Sequence, residues 1–350
     1  MATRNLPIQK CMGFRDTCGG NMPEQVLLEV HDLRVSFFTP VGEVKAVGGI
    51  SYSLKNGEVI GIVGESGSGK SVEAYSVMGI LESPGKIIGG TVYFEDCDIL
   101  ALNKKEREKL RGNKISMIFQ NPMESLNPVY TVGNQLIAVL REHKTISKNV
   151  AYQRAVDMLN NVGITNPAQR MKQYPHELSG GMRQRVMIAM ALICEPKLLI
   201  ADEPTTALDV TIQSQILELM KALQKKNAMS ILFITHNLGV VAEMCDTVSV
   251  MYGGFIVEQG NVEDIFYRPL HPYTLGLLRS MPRIDAEENE KLIPIEGTPI
   301  NMLDPRPGCP FTPRCNEGMK ICMNSFPPHT VQENNHVVAC WLEYRKTLQK

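Results

Sequence analysis

The chain has 350 residues, a length that suits about two domains of ~150 residues each. Its hydrophobic share of 43% is enough to bury ordinary cores. Basic and acidic side chains balance at 36 and 37, for a formal net charge of −1, which counts against a nucleic-acid partner held by bulk electrostatics.

No apolar run approaches the ~18–20 residues that span a bilayer; the longest, Val186 to Cys194, is cut by Glu195-Pro196-Lys197. The first twenty residues carry Arg4, Lys10 and Arg15 and no continuous apolar segment, so no secretory signal is expected. The nine cysteines are therefore read as thiols of a reducing cytoplasm rather than as disulfides. Residues 1–24 read as a disordered leader, with Met22 as an alternative start.

Regular alternation begins at Val26-Leu27-Leu28-Glu29-Val30 and predicts short strands up to about residue 60. Turns are expected at Pro40-Val41-Gly42 and Lys55-Asn56-Gly57-Glu58. The run Glu58 to Val63 reads as a buried strand, and Ser71 onward as a helix start. Between them lies Gly64-Glu65-Ser66-Gly67-Ser68-Gly69-Lys70-Ser71, which matches the phosphate-binding P-loop G-x-x-x-x-G-K-[ST] in its required strand–loop–helix setting. The glycines let successive backbone N–H groups converge on phosphates at a helix N-terminus. Lys70 can then reach the β- and γ-phosphates, and the Ser71 hydroxyl can ligate magnesium. The loop implies a bound nucleoside triphosphate.

Further along, Glu82-Ser83-Pro84-Gly85 breaks the chain, and residues 103–111 predict a mixed-charge helix with a solvated face. Residues 121–178 read mainly as helices interrupted by Pro122, Pro128, Pro167 and Pro175, and Ser179 to Leu192 as another helix. Lys197 to Asp202 and Ser230 to Thr235 are apolar runs ending in polar residues, as buried parallel strands do. Strands alternating with helices around a P-loop predict an α/β sheet with its ligand at the carboxyl ends of the strands. From about residue 261 prolines and cysteines become dense and strands fade, with a small appended region at 284–350.

Several motifs extend the P-loop. Leu198 to Glu203 resembles a Walker B strand: Asp202 would hold magnesium through water, and Glu203 would polarise the attacking water. Leu178-Ser179-Gly180-Gly181-Met182 resembles the signature motif of ATP-binding cassette proteins, with Met182 where glutamine is more usual. Gln120 resembles their glutamine loop, in contact with magnesium and water, His236 their switch histidine on the γ-phosphate, and Ala207-Leu208-Asp209 their D-loop. The resemblance to cassette ATPases spans roughly residues 26–260.

It implies a RecA-like parallel sheet with an N-terminal antiparallel β subdomain and a helical subdomain at about 100–178. The cassette then covers 25–260, and residues 261–350 form a C-terminal extension. Two subunits would sandwich two ATP molecules, with Ser179-Gly180-Gly181 of one closing the site of the other. Driving such an equilibrium from 1:99 to 99:1 takes about 5.5 kcal/mol, within reach of charge-assisted phosphate contacts. Relatives stack adenine on an aromatic residue just before the position of Lys45-Ala46-Val47. The corresponding Val44 is aliphatic, so the preference for ATP over GTP rests on the resemblance.

Phe119 to Pro128, Tyr174 to Leu178, Ala201 to Asp209 and His271-Pro272-Tyr273-Thr274 resemble ATPase subunits of bacterial peptide and nickel importers. That resemblance implies two membrane-spanning permease subunits, an extracytoplasmic substrate-binding protein and a second ATPase, identical or related. It places the chain at the cytoplasmic face of the inner membrane, powering uptake of di- or oligopeptides. Nickel or another small solute is the alternative cargo. A soluble cassette ATPase acting on nucleic acid and a regulatory subunit with a dead ATP site are the competing readings.

In the tail, Cys309, Cys315, Cys322 and Cys340 follow C-x5-C-x6-C-x17-C. Four reduced thiols in a segment too small for its own core suggest a metal staple. The tail resembles those of peptide-importer ATPases with a 4Fe–4S cluster. Zinc, which favours C-x2–4-C pairs, and free or disulfide-linked cysteines remain as alternatives.

Overall fold

The computed structural model describes residues 26–121, 125–206, 208–281, 294–303 and 307–348; the expected leader, residues 1–24, lies outside them. Strands β1 (Val26–Thr39) and β2 (Gly42–Lys55) form a hairpin, followed by β3 (Val59–Val63). After the helix Lys70–Met78 come β4 (Gly85–Phe94) and β5 (Cys97–Asp98). These build an antiparallel sheet in the order β2-β1-β4-β5. The hairpin strands run 14 residues each, longer than the short strands expected. Register shifts, as between Val30 and Leu33, let the ribbon bend and continue where an ideal strand would end.

The second sheet takes β3 as its middle. It adds β6 (Ile115–Ile118), β7 (Leu198–Asp202), β8 (Ser230–Thr235) and β9 (Thr247–Tyr252) in parallel, and β10 (Phe255–Asn261) antiparallel. Two strands of the tail, β11 (His329–Val331) and β12 (Val337–Ala339), continue it, giving the order β11-β12-β10-β9-β3-β8-β7-β6. The tail was expected to lose its strands; it instead lengthens the main sheet.

Every residue of β3, β6, β7 and β8 is buried, as both faces are covered. Alternation along each strand sorts them. Ile60, Ile62, Leu198, Ile200, Leu232 and Ile234 face the core shared with the antiparallel sheet. Leu199, Ala201, Ile231 and Phe233 face a helical core. That second core takes residues from the helices Val132–His143, Lys148–Asn161, Gly180–Leu192 and Val210–Asn227. The charged helix Lys104–Leu110 buries no residue and is held by a capping box between Asn103 and Glu106, in line with its composition. A third core joins β9 and β10 to the tail through Tyr252, Tyr273 and Phe311. Burying an aromatic of this kind contributes about 1.5–3 kcal/mol, and through these three the tail shares a core with the main sheet.

Candidate functional site

The P-loop leaves the end of β3 and turns into the helix Lys70–Met78. Two of its glycines are required by space and by backbone. Gly64 has φ 155° and Gly69 φ 102°; a Cβ would lie 2.1 Å from the Met251 carbonyl oxygen at the first and 2.3 Å from that of Ala46 at the second. The β2 strand and the end of β9 thus press against the loop from two sides. Gly254 N–H donates to the Ser68 carbonyl at 3.0 Å, fixing it from a third. Ser66 and Gly67 are exposed at the tip, and Ser68 is buried. The Lys70 ammonium donates to the Gly64 and Glu65 carbonyls at 2.8 and 2.9 Å. Burial lowers its pKa, opposed by the charges of Glu203, Asp202 and Glu65.

At the end of β7, Asp202 accepts from Ser71 Oγ at 3.0 Å and from the Tyr75 hydroxyl. Its side chain is fully buried, its Oδ2 has no partner, and burial raises its pKa. A buried carboxylate with an orphan oxygen beside a hydroxyl is a donor set that suits a hard divalent cation. The chemistry of these groups thus fits magnesium.

Glu203 turns the chain with φ 46°. Its Oε1 lies 2.9 Å from His236 Nδ1, and its Oε2 accepts from Gln120 Nε2 at 2.7 Å and Thr206 Oγ1 at 2.9 Å. Burial would raise this carboxyl, but the bonds from His236, Thr206 and Gln120 outweigh it and hold the group below the usual carboxylate range. Gln120, Glu203 and His236, expected to cooperate, therefore meet at one point beside Asp202. Val44 is half-buried on β2, opposite Phe37 and two residues before Ala46, whose carbonyl abuts Gly69.

Ser179 caps the helix Gly180–Leu192 by accepting from Met182 N–H at 3.3 Å, and both Ser179 and Gly180 are exposed. Gly181 is half-buried against Ile212. Asp209 caps the helix Val210–Asn227 and is exposed too. Among the described residues no hydrogen bond joins Ser179, Gly180, Gly181 or Asp209 to the P-loop; Ser179, Gly180 and Asp209 are exposed.

The tail's four cysteines, Cys309, Cys315, Cys322 and Cys340, line one pocket with His271, Phe311 and Trp341, and all four are free thiols. Burial pushes the Cys309 thiol up to about 11 and raises Cys315 and Cys340 as well. Among the described residues no three His, Cys, Asp or Glu side chains are gathered tightly enough to hold a single metal ion.

Comparison with known proteins gives the family. The family described as ABC transporter matches residues 47–206, and the one described as oligopeptide/dipeptide transporter, C-terminal region, matches residues 257–322. The chain is 53% identical to the dipeptide transport ATP-binding protein DppD of Bacillus subtilis (strain 168), over 91% of this chain and 95% of that one. It is also 53% identical to the oligopeptide transport ATP-binding protein OppD of Salmonella typhimurium, over 91% and 94%. The chain belongs to the ABC transporter family. The ATP-binding cassette MJ0796, solved as a dimer in a post-hydrolysis state with ADP and Pi, superposes with a TM-score of 0.62. That match has 25% identity and covers 67% of this chain and 99% of the other. Among the described residues no helix is long and apolar enough to cross a membrane.

Sequence reasoning missed several groups around this cassette's ATP site. Thr206 lies inside a motif already singled out, so its bond to Glu203 was within reach. Gln184 of the signature helix donates to the Pro204 carbonyl beside Glu203. Tyr273 accepts from the Glu65 amide at 2.9 Å, and Arg314 forks onto the Glu65 carboxylate at 2.6 and 3.1 Å. The Arg314 contact crosses 249 positions of sequence, which no local pattern encodes.

Proposed function

We propose that this chain is the ATP-hydrolysing subunit of an importer of di- or oligopeptides, working peripherally at the cytoplasmic face of the inner membrane. It would pair with a second cassette subunit and serve two permease subunits and an extracytoplasmic binding protein. The observation that carries the reading is the meeting of Gln120, Glu203 and His236 beside the Ser71–Asp202 pair at the P-loop. The relatives named for peptide transport support the cargo, since they match the tail as well as the cassette.

Phosphoryl transfer needs positioning and charge neutralisation more than covalent chemistry. Lys70 and the loop amides take the β- and γ-phosphates. Ser71 and Asp202, with Gln120, would hold magnesium, which neutralises charge on the phosphates when bound. Glu203 polarises the attacking water, and His236 orients Glu203 and reaches the γ-phosphate. Ser179, Gly180 and Asp209 are exposed and Gly181 lies beside them, where a second cassette could use them to close this site. The test is ATP hydrolysis by the complex co-purified from detergent-solubilised membranes, with and without a panel of peptides and nickel chelates. Stimulation by peptides in a complex with two permease subunits supports the proposal. A chain that purifies alone and hydrolyses ATP indifferently to every ligand overturns it.

We also infer that Cys309, Cys315, Cys322 and Cys340 would hold a 4Fe–4S cluster. The support is their convergence on one pocket, since four cysteine thiolates are the ligand set of such a cluster. Such a group would fasten the tail's loops to one another. Equal iron and acid-labile sulfide in anaerobically purified protein is the expected result, and their absence ends the reading.

A further inference from the structure

Position 65 is an unrestricted place in the P-loop fingerprint, yet here it carries a carboxylate inside the loop that must receive a polyanion. Its charge is felt at Lys70, and Asp202 and Glu203 already stand nearby. An unpaired Glu65 would repel the triphosphate and weaken the pull of Lys70. The structure supplies a counter-ion from far along the chain. Both terminal nitrogens of Arg314 reach the Glu65 carboxylate, the paired arrangement that a guanidinium makes best.

Arg314 is 4% exposed and fixed on every side. Its Nε donates to the Glu296 carbonyl at 3.0 Å and its Nη2 to that of Ile295 at 3.0 Å. Its Nη1 also contacts the Tyr252 hydroxyl at 3.3 Å, and the guanidinium lies 5.9 Å from the Tyr252 ring centre. Tyr273 takes the backbone amide of the same Glu65. Side chain and main chain of one P-loop residue are thus held by two residues C-terminal to the cassette's strands.

We propose that Arg314 and Tyr273 are positioning residues of the ATP site, which neutralise and immobilise Glu65 so that the P-loop can receive the nucleotide polyphosphate. The extension thereby completes the nucleotide site of its own chain. Nucleotide affinity then depends on the segment between Cys309 and Cys315, which carries Arg314 between two of the pocket's thiols. This inference rests on the reading that the P-loop binds ATP.

The test is a double-mutant cycle on the full chain, with magnesium AMP-PNP affinity read by calorimetry and folding read by thermal melting. Arg314→Met leaves Glu65 uncompensated and should weaken binding about tenfold, as neighbouring charges of this kind couple. Glu65→Gln removes the need for the counter-ion and sets the reference affinity for the double variant. Glu65→Gln combined with Arg314→Met should recover the affinity of Glu65→Gln alone, and Arg314→Lys, which keeps the charge and loses the fork, should recover only part of it. A merely structural role for Arg314 predicts that the loss persists in the double variant; that result overturns the proposal. So does an Arg314→Met chain that binds like wild type. Failure of the wild-type chain itself to bind overturns the ATP reading instead, which keeps the two failures distinct.

Discussion

Replacing Glu203 by glutamine keeps the shape of the side chain and removes its charge and its basicity. The surroundings are arranged to accept that change. An amide oxygen at the place of Oε2 still accepts from Gln120 and Thr206, and an amide nitrogen at the place of Oε1 can donate to His236 Nδ1. The left-handed backbone at φ 46° costs glutamine no more than glutamate. Stability should therefore change by less than ~1 kcal/mol. MgATP affinity should hold within about threefold, because Lys70, Ser71 and Asp202 are untouched.

Hydrolysis is another matter. A positioned general base contributes roughly 10²–10⁴ in rate, or about 2.7–5.5 kcal/mol of barrier. Phosphate release from the purified complex should fall by that factor at saturating ATP, while nucleotide binding persists. The cassette pair should then accumulate in its closed, ATP-loaded form, visible as a stable dimer in size-exclusion chromatography. Turnover within about fivefold of wild type would refute the role given to Glu203, as would a variant whose defect lies in binding alone.

Gly69→Ala should abolish nucleotide binding, because the new Cβ meets the Ala46 carbonyl at 2.3 Å and φ is 102°. Strain of this kind costs on the order of 1–3 kcal/mol, so a lowered melting temperature should accompany the loss in a MgATP titration. Glu73, on the first turn of the P-loop helix, is fully buried, accepts from the Tyr52 hydroxyl, and has its carboxyl pushed up to about 8 by burial. The folded protein holds a proton there that the unfolded chain releases near its ordinary pKa of 4.5. Its contribution is complete below about pH 4.5 and drains away as pH rises to about 8, at up to roughly 1.4 kcal/mol per pH unit. Glu73→Gln should flatten that part of the stability-against-pH curve and be the more stable form at pH 8 in urea unfolding; parallel curves would refute the assignment.

What the sequence made legible were features whose chemistry is local. A P-loop needs a strand before it and a helix after it, and β3 and Lys70–Met78 stand there. Lys197 to Asp202 and Ser230 to Thr235 read as buried strands because unbroken apolar runs fit a sheet covered on both faces, and β7 and β8 are buried throughout. The solvated helix before β6 was equally plain from its charges. The meeting of Gln120, Glu203 and His236 followed from strand ends lying at one edge of a parallel sheet.

The rest depends on chain segments distant in sequence. Strands β11 and β12 have three residues each, too few to show a period. They exist because β10 offers a pairing edge. Glu258 accepts from the Leu270 and His271 amides at 2.7 and 2.9 Å and sits 2.7 Å from His336 Nε2. That buried junction ties the tail to the cassette and has no sequence signature. The Arg314–Glu65 fork is the same kind of fact.

The addition of β12 to β10 has a consequence for the edge of the main sheet. An uncovered edge strand displays a row of free N–H and C=O groups that can template pairing between copies. Here β12 covers β10, with Val338 opposite Glu258 and Val337 opposite Gln259. The outermost strand is left to β11, only three residues long, a short and poor template. A chain ending near residue 260 would keep every ATP-site motif in the cassette and yet unpair β10 at Glu258 and Gln259. Such a shortened protein should be more prone to edge-to-edge pairing between copies.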